Sequence, residues 1–404
     1  MGNRHLLEDD RQSRALKEFS NLQSLGDLVD RELFRPVLEE LFGPPNTSGR
    51  GRRSWDCLVI FRCLILGVVN GLSDEKLQYM LLDRTSFKQF AGLVTLDQVP
   101  DRKTLWKCRN MLGESGRIDE LVGAFKDQLL AHGHHMQTGS LVGSSPVRVP
   151  RRRTTREENA TIRDGSVPEE WEGKGNKLRQ KDVDARWFRK NGVNHYGCRN
   201  HVAVDRETRL ITNWDVTPAN VHDSRVFGEL LAPSPRGGPQ VFADSACRSK
   251  DAVAGLWKRG YRPRINFKGK RGVPLTPRQK ALNRCHSRVR CRVEHVFGAI
   301  GNGTNTRCMN CIGIRRSRVW IGLVNLCHNM KRFEYLERAE AVSWGESCHN
   351  GPNEGRGVCQ DAGLGWFGLQ FDWIWSDFVK YPWNLSMKKL KNRLLKIMES
   401  RILE

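Results

Sequence analysis

Two carboxylates, Asp244 and Glu294, stand in settings suited to phosphodiester chemistry. Asp244 closes the short apolar run Val241-Phe242-Ala243 after a Gly-Gly-Pro break, so it reads as a carboxylate at the C-terminal end of a buried strand. Glu294 lies in the run Ala281 to Ala299, which has no Pro or Gly before Gly298 and carries Val289, Val293, Val296 and Phe297 at helical spacing. Arg288, Arg290 and Arg292 surround it. A strand-end Asp and a helical Glu in a basic setting can jointly hold divalent metal against a phosphodiester. On its own such a pair is a weak signal, because either residue usually faces solvent.

The wording around the two carboxylates is more specific. Val241 to Ala246 and Arg290-Cys291-Arg292-Val293-Glu294-His295-Val296-Phe297-Gly298 resemble the second and third blocks of the DDE transposases of bacterial insertion sequences, in the branch grouped with insertion sequence five. Asn176 to Trp187 and Tyr196-Gly197-Cys198-Arg199-Asn200-His201 are similar to that family's central stretch, and Val221-His222-Asp223-Ser224 to its turn before the second Asp. The resemblance spans about residues 15 to 340. It implies an α+β, ribonuclease-H-like catalytic domain behind an all-helical N-terminal domain. It also implies Mg2+ or Mn2+ held by Asp244 and Glu294, with Arg290 steadying phosphate or the carboxylate. The partners it implies are terminal inverted repeats and target DNA, bound by a homodimer in the bacterial cytoplasm at the nucleoid, with no membrane partner.

The same comparison exposes a departure. The first strand of such transposases ends in a Val-Asp pair, whereas this chain reads Leu141-Val142-Gly143-Ser144-Ser145-Pro146-Val147-Arg148, with Gly143 in the place of the first catalytic Asp. Cys247, Ser287 and Gly301 stand where the family often has Tyr, Tyr and Lys. In two-metal phosphoryl transfer one ion activates the attacking oxygen and the other steadies the leaving oxygen. Glycine offers no side-chain oxygen, so two carboxylates remain to offset about four positive charges. Ser144 and Ser145 are neutral, and Asp182, Asp184 and Asp205 are near in sequence but not at the first strand's end. Two function classes stay open: an impaired enzyme of DNA strand cleavage and transfer, or a DNA-binding protein without chemistry that occupies transposon ends.

Composition agrees with a polyanionic partner. The chain has 67 Lys+Arg against 45 Asp+Glu and a formal net charge of +22, of which the first 340 residues carry +21. The 12 cysteines are scattered behind a charged N-terminus without a signal-peptide pattern, which favours reduced thiols. Cys308-Met309-Asn310-Cys311 is a lone CxxC with only Cys327 and His328 as weak further ligands, so incidental cysteines outweigh zinc.

Three regions are expected. Residues 1–136 read as helical: an amphipathic helix from Asp27 to Phe42, a buried one from Cys57 to Asn70, one capped by Ser73, and one from Asp101 to Leu112. On the last, Arg102, Lys103, Lys107 and Arg109 suit a DNA groove, against the alternative of a solvated face on a packing helix. Residues 137–340 alternate strand and helix, with a hairpin joined at Asp205 to Thr208. Within them a polar excursion, 148–186, carries Arg151, Arg152, Arg153 and Arg156, a phosphate-binding cluster or a disordered solvated loop, or both, with ordering on DNA. His201 and His222 are expected to be structural, with His222 the nearer to DNA or metal. Residues 341–404, rich in Trp and then Lys, have no counterpart in the family; read-through of a lost stop and an acquired oligomerisation or membrane-surface helix are the two readings.

Overall fold

The computed structural model describes residues 21–43, 54–93, 99–136, 138–150, 154–190, 192–231, 238–269, 271–303, 309 and 311–349. Met1–Ser343 form one compact unit and Trp344–Glu404 another; the expectations for residues 350–404, and for Arg151, Arg152, Arg153 and Cys308, fall outside the described residues.

Among the described residues seven helices come first: α1 (Asn21–Leu28), α2 (Arg35–Phe42), α3 (Cys57–Val69), α4 (Asp74–Asp83), α5 (Thr85–Ala91), α6 (Arg102–Ser115) and α7 (Ile118–Ala131). The chain from Cys57 to Val69 is apolar on all sides but Arg62, and α3 is accordingly buried, with α2, α4, α5 and α6 packed round it. Caps set the starts. Asp56 accepts from the Leu58 amide, Ser73 from Lys76 and Asp101 from Thr104. Among the described residues no single helix is long and apolar enough to cross a membrane.

The helix expected from Asp27 to Phe42 is broken. A 3-10 turn, Glu32–Phe34, separates α1 from α2. Asp30 Oδ1 accepts from the Glu32 amide at 3.0 Å, offering the backbone a local partner in place of a helical one. Pro36, in the first turn of α2, cannot donate to an upstream carbonyl. Periodicity alone ran across this break because Phe34 and Leu38 are both buried.

The second region is a mixed sheet: β1 (Ser140–Arg148), β2 (Arg186–Lys190), β3 (Val193–Asp205), β4 (Ile211–Pro218), β5 (Gln240–Ala243) and β6 (Arg262–Ile265). The path is β2-β3-β1-β5-β6, with β4 also paired to β3. β3 runs antiparallel to β1, β2 and β4, while β1, β5 and β6 are parallel. Short helices α8 (Arg156–Arg163) and α9 (Gly175–Gln180) lie between β1 and β2, α10 (Asp223–Val226) follows β4, and α11 (Lys250–Lys258) joins β5 to β6. Two long helices close the order, α12 (Pro277–Gly303) and α13 (Ile314–His349). Strand, antiparallel hairpin, parallel strands and flanking helices make the ribonuclease-H-like α+β fold. One sheet face, with Leu141, Val202 and Phe242, packs with Val293, Val296 and the buried side of α13. The other, with Val142, Ala203 and Val241, packs with Val226, Phe227 and Leu256.

Part of the polar excursion is folded rather than a loop. Thr155 and Glu158 form a capping box at the start of α8, and fully buried Trp171 donates from Nε1 to Glu158 at 2.8 Å. The Thr-x-x-Glu spacing was present in the sequence as the signal.

α13 is the spine of the first unit. Asp182 and Asp184 accept from the Gly313 and Ile314 amides at its N-terminus, at 3.0 and 2.8 Å. Asn325 exchanges amide hydrogen bonds with Asn200 of β3, and Asn329 bonds both backbone groups of Ile211. Arg318 pairs with Asp215 at 2.5 Å and Asp119 at 3.0 Å. At Gly322 the helix approaches so closely that a Cβ would stand 2.5 Å from Ile118 Cγ1 and 2.9 Å from the Trp214 ring. Gly322→Ala is expected to destabilise the protein by about 2–3 kcal/mol through overpacking, read as a lowered urea midpoint with unchanged slope.

Burial shifts three imidazoles toward the neutral form. Burial pushes His328 down to about 4 while its ring bonds the Arg209 carbonyl at 3.2 Å. Burial likewise lowers His201 and His286 from the ordinary 6.5. A histidine with a depressed folded value stabilises fully above its unfolded value and loses that contribution as pH falls toward the folded one. Through His328 stability should therefore decline as pH falls from about 6.5 to about 4, by up to roughly 1.4 kcal/mol per pH unit, and His201 and His286 act in the same direction. Urea melts across that range should show a shallower decline for His328→Gln.

Candidate active site and nucleic-acid surface

β5 ends at Ala243, and Asp244 continues in extended conformation, exposed, its carboxylate capping the Ser245 amide at 2.7 Å. Phe242 meets the edge of His286 on α12, with ring centroids 6.1 Å apart. By strand alternation Asp244, two residues on, shares the face that α12 covers. β1 lies beside β5 with Leu141 opposite Phe242. Carried two residues further, that register sets Gly143 level with Asp244, one strand spacing of about 4.8 Å away. Gly143 faces the same helix: a Cβ there would stand 3.0 and 3.2 Å from the Val293 methyls and 3.4 Å from Phe297. Glu294 follows Val293, 60 % exposed, with Arg290 donating to it at 2.6 Å one turn earlier.

The structure sets Val293 and Phe297 of α12 over Gly143, with Arg290 and Glu294 on the same helix and Asp244 just past the end of β5. It does so with packing, because Val293, Val296 and Ile300 are buried and hold α12 on the sheet. Gly301 lines a cavity of about 80 Å³ with Ser145, Phe297 and Trp320, on the same side. The other sequence-near carboxylates are engaged elsewhere. Asp182 and Asp184 serve α13, and buried Asp205 accepts from Thr138, Glu207 and Thr208 at the hairpin turn.

Sequence reasoning assigned no role to Asp223. It lies on the opposite sheet face, where Ser144 Oγ donates to it at 2.8 Å and Arg199 at 2.7 Å, with His201 Nδ1 3.5 Å away. His201 is buried and shares a hydrogen bond with Thr217, and His222 caps α10 at Ser224. Cys247 is buried beside this group, its thiol pushed up to about 12 by burial first and then by the Asp223 and Asp244 carboxylates. The only sequence signal was the Val-His-Asp-Ser turn, and its partners come from β1 and β3, far off in the chain.

DDE transposases work with divalent metal ions. The donor set here does not fit a two-metal centre. Position 143 supplies no side-chain oxygen, Glu294 is held by Arg290, and among the described residues no three or more His, Cys, Asp or Glu side chains are placed to share an ion.

The four basic residues on α6 fall into two groups. Arg109 forms a two-pronged pair with Asp74 of α4, at 2.7 and 2.6 Å, with both side chains largely buried. Arg102, Lys103 and Lys107 are exposed, Arg102 only loosely paired with Glu75 at 3.5 Å, and Trp106 beside them is 51 % exposed. Arg156 is exposed at the start of α8.

Residues 137–330 match a family model described as a transposase DDE domain, and residues 10–111 one described as a transposase domain (DUF772). The transposase for insertion sequence element IS1106 of Neisseria meningitidis serogroup B is 29% identical over 194 residues, covering 48% of this chain and 64% of that relative. The chain therefore spans less than two thirds of the length of that curated relative. A cryo-EM structure of the piggyBac transposase synaptic complex with hairpin DNA aligns over 87% of this chain and 90% of its own, at 12% identity and a TM-score of 0.43.

Arg109→Ala leaves Asp74 unpaired and should cost about 2 kcal/mol, while Ala at Arg102, Lys103 and Lys107 together should change stability by less than about 0.5 kcal/mol. Thermal and urea melts of the two variants test this division between packing and surface.

Proposed function

We propose that this chain, which belongs to the DDE transposases of insertion sequences, holds the terminal inverted repeats of its element while its own strand cleavage and transfer are impaired at Gly143. The observation that carries the reading is the position of that glycine. It stands level with Asp244 on the neighbouring strand and under the Glu294 helix, with the Val293 methyls against the place where a carboxylate would begin. A phosphodiester entering there would meet Asp244, the Arg290–Glu294 pair and backbone. Arg290, free to exchange Glu294 for a phosphate oxygen, would bind the strand rather than activate an attacking group.

The bound partner is double-stranded DNA, with one copy of the chain on each end as a dimer. The exposed Arg102, Lys103 and Lys107 on α6, with Arg156 on α8, make the first phosphate contacts. Mg2+ or Mn2+ belongs to this reading only where a third carboxylate is supplied.

A labelled transposon-end duplex tests it. The chain as it stands should bind the end and leave it uncut with either metal. Gly143→Asp combined with Val293→Ala, which makes room for the new side chain, should raise metal-dependent cleavage at least roughly 100-fold and give Mn2+ binding detectable by calorimetry. Equal cutting by the glycine form would overturn the impairment. Failure to bind the end at all would overturn the reading as a whole.

A further inference from the structure

We propose that the exposed face of α12 is a phosphate-binding rail, which holds a DNA strand along the helix that carries Glu294. From Ala252 to Val293 the chain has 13 basic residues and no acidic one. Within that stretch Lys280, Arg284 and Arg288 recur every four residues and are all exposed on α12. Each four-residue step turns the stripe by about 40°, so Arg284 and Arg288 lie about 40° and 80° from the Lys280 direction and Glu294 about 40° to its other side, all on the exposed half of the helix. From Lys280 to Arg288 the rise is about 12 Å, the axial length of three to four phosphates on one DNA strand.

Exposed cations usually just face water. Three features separate this stripe from a solvated face. None of Lys280, Arg284 and Arg288 makes an ion pair among the described residues, unlike Arg290 in the same helix. Like charges four residues apart repel along a helix, so the arrangement works against the stability of α12 by itself. Arg278 at the start of the helix adds to the same sign, and no carboxylate within the preceding segment offsets it. A polyanion of regular spacing is the occupant this charge pattern fits, and the DNA backbone is that polyanion.

The inference rests on the DNA-holding reading above, and it concerns backbone contact without sequence choice. Its test uses the full chain, an inverted-repeat duplex and an unrelated duplex of equal length, with anisotropy titrations between 50 and 200 mM salt. Changing Lys280, Arg284 and Arg288 together to Gln should flatten the slope of log affinity against log salt by about 2.7, close to 0.9 for each phosphate contact, on both duplexes. The same variant should melt no lower than the parent, since repulsion is removed. Exchanging Lys for Arg and Arg for Lys at the three positions should retain the slope. If the triple variant fails to fold, the single Arg288→Gln should flatten the slope by about 0.9. An unchanged slope with the parent still binding overturns the rail alone. A parent that binds neither duplex overturns the DNA-holding reading and the rail with it.

Discussion

The burial of α13 is the constraint on which the other elements depend. A helix with Val319, Leu323, Leu326, Cys327, Met330 and Phe333 out of water must be covered on several sides. It is covered by the sheet, through Asn200, Ile211 and Trp214, and by α7, through Ile118 and Phe125. Buried amides are costly unless bonded, and Asn325 and Asn329 each find partners on a strand. Those bonds do more than satisfy polarity. They fix where along α13 the hairpin sits, because sliding the sheet by one residue would strand both amides. The helical and sheet regions therefore share one hydrophobic cluster.

The candidate site is a consequence of that packing, and its chemistry is separable from it. α12 is held by Val293, Val296 and Ile300, while Glu294 sits on its outer side. Asp244 is likewise at a strand end, exposed. Neither carboxylate supports the core, so the architecture does not depend on a carboxylate at position 143. Electrostatics runs the same way. Three carboxylates at one sheet end repel unless cations lie between them. Glycine removes one of those charges, and Arg290 neutralises another.

Legibility followed the range of the interactions. Ser73 caps the helix it was expected to cap, the hairpin turns at Asp205, and the strand before Asp244 and the helix around Glu294 are where the residue pattern put them. Each depends on partners within four residues, or on alternation within one strand. The break at Asp30 and Pro36 was missed because two local bonds outweighed a continuous apolar period. The folded excursion was missed because overall polarity hid a capping box and one buried tryptophan.

The sequence by itself determined which residues could do chemistry, that glycine stands among them, and the sign of the charge that any partner must carry. Composition and short-range bonding suffice for those. Only the tertiary structure decided that Arg109 belongs to Asp74, that Ser144 and Arg199 converge on Asp223, and that Val293 occupies the room beside Gly143. These contacts join segments between 24 and 150 residues apart. Their free energy comes from closing long loops around a common core, and no local pattern records which loops close.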